Sequence, residues 1–481
     1  MKLKNLKPKN MKLKNMSVIG LVLILIVSLA GCASTTASAD TDNTAKVTES
    51  LTDTVTIKDT SNASNDAASA SNVDGDTNEN VDEVTSATQS DAPAGGGDAQ
   101  FQGKGQMPNG QQPNGNLGGM PGESTPTTNE YSSDASLDTG IDVTDQFSNR
   151  DLEQTADLTG ATTINLTSGK DVTITAEGVY LVKGSATNSS IIVAAPEDAK
   201  VQIVLDGVTI TNETTPAIYV KTADKVFVTT TSATSVLTVN GTFTADGETN
   251  VDAVIFSKSD LTLNGTGTLK VVSKQGNAIT SKDDLKVTGG TYNITALGHG
   301  LEANDSIRIY DGNFTMNVQK DAVHSENDED STKGYIYIKD GNFEITAADD
   351  AIHSNTIVQI DGGTINIKTA SEGIEATFVQ INGGNITIYA TDDGINAANK
   401  SDNEVRIEVN GGTISVTMGS GDTDGFDSNG DLYINGGNIT VTANSSFDVD
   451  GTRQLNSGTV IVNGQQVTEI TVQQMGGGKR H

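Results

Sequence analysis

Thr391-Asp-Asp-Gly-Ile-Asn396 and, one repeat later, Asp422-Thr-Asp-Gly-Phe-Asp427 each gather carboxylates around a glycine and one apolar side chain. Weaker copies precede them: Asp349-Asp-Ala-Ile-His353, Glu372-Gly-Ile-Glu375, Asp321-Ala-Val-His324 and His299-Gly-Leu-Glu302. Aligned on one position, the series reads Asn277, His299, Asp321, Asp350, Glu372, Asp393, Asp424, with steps of 22, 22, 29, 22, 21 and 31 residues. A motif that returns at about 22 residues, with occasional insertions, marks a solenoid in which each repeat is one turn.

A second marker fixes the register. An inward Ile, Leu or Val is followed by an anchor residue and usually by glycine, at Asp206, Asn240, Asn264, Thr288, Tyr310, Lys339, Asp361, Asn382, Asn410, Asn435 and Asn463. The clearest copies are Asp361-Gly-Gly-Thr-Ile-Asn-Ile367, Asn382-Gly-Gly-Asn-Ile-Thr-Ile388, Asn410-Gly-Gly-Thr-Ile-Ser-Val416 and Asn435-Gly-Gly-Asn-Ile-Thr-Val441. Asn-Gly and Asp-Gly supply the positive φ of a sharp corner. Asn-Gly is also a hairpin signal, so a meander sandwich is the rival architecture. Two different turn motifs in fixed order at constant spacing favour the solenoid, because hairpins need no such memory. The expected fold is all-β: a single-stranded right-handed parallel β-helix of about 22-residue coils stacked about 4.8 Å apart, preceded by a disordered tether. Two insertions, Glu326–Lys333 and Asn399–Glu404, fall at the same point of the coil, just after the acidic motif.

The chain carries 62 Asp and Glu against 30 Lys and Arg, a formal charge of −32, and residues 1–31 hold six lysines and no acid. Without that segment the remainder is more negative still, a surface that repels nucleic acid and anionic lipid and attracts divalent cations. Trp is absent and Cys32 is the single cysteine, so no internal disulfide forms. A basic stretch (Lys2 to Lys14), the apolar run Val18–Leu29 and Leu29-Ala-Gly-Cys32 resemble a bacterial lipoprotein signal, with cleavage before Cys32 and lipidation of its thiol. The run is short for a membrane span. Met1-Lys-Leu-Lys-Asn5 recurs as Met11-Lys-Leu-Lys-Asn15, which makes Met11 an alternative start. The expected organisation is a signal peptide at 1–31, a disordered low-complexity linker at 32–137, the β-helix at 138–472 and a flexible tail at 473–481. The expected location is the cell envelope, lipid-anchored and exposed outside, and the expected state is a monomer.

Stacked acids need an explanation. Two carboxylates about 4.8 Å apart repel by roughly 1 kcal/mol in water and several-fold more at an effective dielectric near 20. Calcium offsets that cost by taking carboxylate, amide and backbone oxygens. The candidate ligands are Asp349, Asp350, Glu372, Glu375, Asp392, Asp393, Asn396, Asp422, Asp424, Asp427, Asp448 and Asp450. With no other soft ligand than Cys32 and four His, hard-cation chemistry fits better than zinc or copper. The alternative is a solvated face of Asp and Asn turn residues, but the doubled acids Asp392-Asp393 and Asp422/Asp424 exceed what turns require. His324 and His353, in the column of Glu375, Asn396 and Asp427, read as exposed turn residues.

The Asp-Asp-Gly-Ile-Asn and Asp-Gly-Phe-Asp motifs, the Asn-Gly-Gly-x-Ile strands and the lipoprotein signal together resemble a family of secreted bacterial carbohydrate-binding β-helix proteins. That resemblance implies binding of cellulose and of acidic sugars such as polygalacturonate, with calcium. The family is similar in turn to the family 9 pectate lyases, whose calcium lies on an Asp-Asp-Gly-aromatic-Asp turn. Asp392 and Asp393 match the paired acids, and Asp424 and Asp427 the first and last acids of the Gly-Phe-Asp form. Asn396 departs from it, standing where the lyase turn has Asp. A uronate lyase also needs a Lys or Arg base; Lys320, Lys368 and Lys400 lie near the acidic corner, but none sits in a matching motif. An outward column two residues before each anchor reads Lys286, Arg308, Tyr337, Gln359, Gln380, Glu408, Tyr433. Arg308, Tyr337, Gln359, Gln380 and Tyr433, with Lys368 and Tyr389, are the candidate sugar contacts, rings stacking on sugar faces and Arg pairing a uronate. The alternatives are an ordinary polar outer face and a structural surface adhesin or spacer. The sequence thus points to a calcium-dependent binder of plant cell-wall or other acidic polysaccharide, with β-elimination as the enzymatic alternative.

Overall fold

A computed structural model describes residues 140–421 and 423–471. The segments expected to be signal, linker and tail, with Cys32 and Asp422, lie outside the described residues. Each coil contributes three short strands, as in Ile374–Ala376, Phe378–Ile381 and Asn385–Ala390, followed one coil later by Asp393–Ala397, Arg406–Val409 and Thr413–Met418. Equivalent strands pair in parallel with conserved register: Ile374 opposes Ile395, Phe378 opposes Arg406 and Ile386 opposes Ile414. The result is a three-faced parallel solenoid. Its first face, built on the acidic motif, holds twelve strands in unbroken chain order. The second face precedes the Gly-Gly corner and the third follows it. The two insertions leave the coil between the first and second faces, at the equivalent point foreseen from the sequence.

Alternation explains the core. Along the third face Ile386, Ile388 and Ala390 point inward and are buried, while Asn385, Thr387 and Tyr389 stay exposed. Stacking the coils aligns such residues into columns, and Phe314 lies flat on Phe343 at 4.5 Å between ring centres. Strand spacing makes that contact automatic wherever two successive coils carry the same ring.

The corner between the second and third faces is held by an amide ladder. Asn382 Nδ2 donates to Asp361 Oδ1 at 2.7 Å, and Asn410, Asn435 and Asn456 each donate to the amide oxygen of the coil before at 2.8 Å. The last rung is Asn456, not the anchor Asn463. Asn463 instead has φ of 49° and turns the chain into an antiparallel pair, Val460 opposite Val467, which ends the described stack. Among the described residues the hairpin reading of Asn-Gly holds only here, at the last described strand pair.

Both corner glycines are needed, for different reasons. Gly384 carries the positive φ, 95°, whereas a Cβ on Gly383 would lie 2.5 Å from the Asp361 carbonyl oxygen of the coil below. The positive φ therefore falls one residue later than the Asn-Gly pair suggests. Gly383→Ala and Gly384→Ala should each destabilise the solenoid by about 1–3 kcal/mol, while the exposed Thr387→Ala stays within about 0.5 kcal/mol. Urea unfolding followed by circular dichroism measures this; equal midpoints for all three variants would contradict the corner geometry.

Candidate functional site

The outer surface of the first face is two columns of side chains. One is the corner series named from the sequence. The other lies along the strands, where register aligns Thr280, Glu302, His324, His353, Glu375, Asn396, Asp427 and Asp448. The small residue of each motif is a packing requirement: a Cβ on Gly394 would lie 2.5 Å from the Gly425 carbonyl oxygen. The apolar residue, Ile395 or Phe426, points into the core with no exposure. What remains, the polar positions on either side, faces outward together.

The corner acids have a structural task as well. Asp350 N donates to Asp321 Oδ1 at 3.0 Å, Glu372 N to Asp350 Oδ1 at 3.2 Å and Asp424 N to Asp393 Oδ1 at 3.2 Å. Each carboxylate thus ties down the next coil, as an Asx turn would, but across coils rather than along the chain. That is part of the turn chemistry weighed as the alternative to a metal. It does not account for the second column.

From Glu372 onward the face is crowded with carboxylates. Asp350, Glu372 and Glu375 bring oxygens within 4.8 Å of one another. Asn396 Nδ2 donates to Glu372 Oε2 at 3.1 Å and to Glu375 Oε1 at 3.3 Å, and Lys400 Nζ pairs with Glu375 Oε1 at 2.8 Å. These partners do not satisfy the charge. Burial, then the charges of Glu375 and Asp350, push the Glu372 carboxyl up to about 8. Burial and then Asp427 raise Asp393 to about 7, and burial with Asp424, Asp448 and Asp450 raises Asp427 to about 6. Asn396 is 8 % exposed and its Oδ1 is buried without a hydrogen-bond partner. Asp349, Asp392, Asp448 and Asp450 are exposed flanking acids.

Histidines occupy the coils before. His324 and His353 are not exposed turn residues; their side chains are 12 % and 17 % exposed and both point Nδ1 at the buried Asp321, at 2.6 and 3.6 Å. Sequence position shows only half of this: Asp321 and Asp350 lie three residues before His324 and His353, but Asp321 and Glu375 reach His353 from the coils on either side. His353 is drawn up to about 10: burial alone would lower it, but hydrogen bonds to Asp321 and Asp350 and the charge of Glu375 prevail.

The outward column of the second face is real as a register column, with Arg308, Tyr337, Gln359, Gln380, Glu408 and Tyr433 in line. Most of it is not available to a sugar. Residues 140–156 run across it as a strap: Ile141 N donates to Gln359 Oε1 at 2.7 Å, Arg308 Nη1 donates to Gln146 Oε1 at 3.2 Å, and Phe147 packs edge-on against Tyr310 at 5.3 Å. Asp151, fully buried, pairs with Lys225 at 2.6 Å and lies 3.6 Å from Lys286. Burial would raise that carboxyl, but the two lysines hold it well below the usual range. Tyr337, Gln359 and Gln380 are consequently buried, and Arg308 is engaged by the strap and by Asp284. Tyr433 stays partly open, while Lys368 and Tyr389 are exposed on the third face, Lys368 paired with Glu344. Of the three lysine candidates, Lys400 alone contacts a first-face carboxylate, and Glu375 keeps it charged against the effect of burial, its pKa raised. Lys320 is exposed beside Asp321.

A protein family described as carbohydrate-binding domain-containing protein matches residues 168–425 and 371–476. A protein of Acetivibrio thermocellus with the same description is 33 % identical over 171 residues, which span 35 % of this chain and 60 % of that relative. A solved structure, described as the polysaccharide lyase-like protein from C. thermocellum in a gadolinium derivative, is 22 % identical with a TM-score of 0.34, covering 62 % of this chain and 96 % of its own.

The raised carboxyls set a pH dependence for the chelated protein. Their folded values, about 8, 7 and 6, lie above the ordinary carboxylate value, so the native state binds the extra protons. Their contribution is present below about pH 4 and is lost as pH rises through those values; His353 adds the same sign at the upper end. The melting temperature in chelator should fall between pH 5 and pH 8. Asp393→Asn, which keeps the acceptor for Asp424 N, should raise it at pH 8. A melting temperature that is flat or rising over this range would refute the electrostatic reading.

Proposed function

Because the chain belongs to the carbohydrate-binding domain-containing protein family, we propose that it is an envelope-anchored protein that holds acidic polysaccharide against its first face through calcium. The observation that carries this reading is the carboxylate zone from Glu372 to Asp427, where three carboxyls are driven up by burial and mutual repulsion and a buried amide oxygen lacks a partner. The donor set is oxygen throughout and suits a hard cation. Asp393, Asn396, Asp424 and Asp427 would hold the ion, with Glu372 and Glu375 completing the charge and Asp392, Asp448 and Asp450 at the margin. Bound there, calcium supplies positive charge and a coordination position for a uronate carboxylate.

Charge argues for the ion from the ligand's side too. A chain of formal charge −32 repels a polyuronate, and the candidate cations meant to receive one, Arg308 among them, are spent on the strap and on Asp284. The insertions at 326–333 and 399–404 wall the first face on one side, where Asn403 Nδ2 donates to Ser331 O at 3.4 Å. An extended chain laid along the coil axis would follow that wall. Neutral cellulose would instead need open rings in one plane, and Tyr389 and Tyr433 lie on different faces.

A lyase reading is second. Proton abstraction at a uronate C5 needs a neutral amine, and Glu375 holds Lys400 as its ammonium. Anchoring would come from a lipid on Cys32, which places the solenoid outside the membrane.

Calorimetry with polygalacturonate, with and without chelator, tests the reading, alongside the absorbance of unsaturated uronate products. Calcium at a hundredfold excess over its Kd should stabilise the fold by about 2.7 kcal/mol, chelator should abolish sugar binding, and Asp427→Asn should weaken both. Sugar binding that survives chelation would overturn the calcium bridge, and product absorbance would favour the lyase.

A further inference from the structure

Three of the four histidines of this chain stand in successive coils around one carboxylate. His299 Nδ1 lies 3.4 Å from Asp321 Oδ2 and His324 Nδ1 lies 2.6 Å from the same oxygen. We propose that His299, Asp321 and His324 form a site for one divalent transition ion of the zinc class, separate from the carboxylate zone and independent of the calcium reading.

Three observations carry this. The donor atoms of the triad all lie within 4.8 Å of one another, and the Asp321–His299 separation is close to the ~3.3 Å edge of a tetrahedron with zinc–ligand bonds of about 2.0–2.1 Å. Next, His299 Nδ1 is buried and makes no hydrogen bond of good geometry. His324 already takes the short contact to Asp321, and its ring stacks on that of His299 with centres 4.3 Å apart. An ion shared by the two nitrogens and the carboxylate would satisfy all three at once. Finally, the surroundings suit a bound metal. His324 Nε2 lies 3.4 Å from Glu326 Oε2, the kind of outer carboxylate that orients a ligating imidazole. His324 also lines an open hollow of about 370 Å³ bounded by Glu302 and the 326–329 stretch, which gives an ion a way in and leaves coordination positions open. Two nitrogens and one carboxylate are the donors that borderline metals prefer over calcium.

The test is zinc calorimetry on the full chain, stripped with chelator and then held in excess calcium so that the carboxylate zone is saturated. One-to-one zinc binding is expected, weakened at least tenfold by His299→Asn and by His324→Asn and unchanged by His481→Ala. Cobalt should give visible absorption of low-coordinate geometry that His324→Asn removes. Circular dichroism checks that the variants fold. Absence of saturable zinc binding by the unmutated chain overturns the proposal whatever the variants do, as does binding that both histidine variants retain in folded form.

Discussion

Parallel strands stacked about 4.8 Å apart leave each side chain no choice of neighbour: it meets the residue one coil before and one coil after. Every chemical choice in the repeat is therefore multiplied along the axis. Asparagine profits, because an amide both donates and accepts, and Asn382, Asn410, Asn435 and Asn456 pass one hydrogen bond from coil to coil. Phenylalanine profits in the same way. Carboxylates do not, since each is an acceptor and a charge, and in the first-face column burial and mutual repulsion push Glu372 and Asp393 well above the usual carboxylate range.

The same geometry explains what could be read in advance. Because register follows spacing, the alignments Asp393 with Asp424 and Asn396 with Asp427 were legible from residue numbers alone, as were the parallel coil and the positions of the insertions, whereas the division of each coil into three strands was not. The outward column of the second face was legible as a column but not as a surface. Its covering comes from residues 140–156, which belong to no repeat and carry no period, so nothing in the spacing announces that Phe147 meets Tyr310 or that Asp151 meets Lys225. Local pattern also misjudged His324 and His353, whose enclosure is completed from adjacent coils, by the His299 ring against His324 and by Asp321 and Glu375 around His353. Asn463 misled for the opposite reason: its local sequence is a corner, but it turns the chain back into an antiparallel pair at the end of the described stack.

One face thus changes character along its length while the backbone stays the same. Tyr219 and Phe256, in line with the later column, are buried in a small apolar cluster with Val251 and Ala253. Glu302, His324 and His353 follow, and then the carboxylates. A repeat scaffold allows this because each coil presents its own two outward positions and answers only to its neighbours. Different chemistry at different heights needs no change of fold.

The strap alters that neighbour-only rule. A solenoid whose coils touch only adjacent coils can fray or open one segment at a time. Residues 141–151 instead touch side chains on six successive strands of the second face, from Lys225 to Gln359. Opening any one of those coils must also disturb contacts shared with others far along the axis. This part of the chain is therefore built to unfold as one cooperative block, as a laced seam gives way only when the lace does, whereas the coils beyond Gln380, which carry Asp393, Asp424 and Asp427, keep the segmental freedom of an unlaced stack.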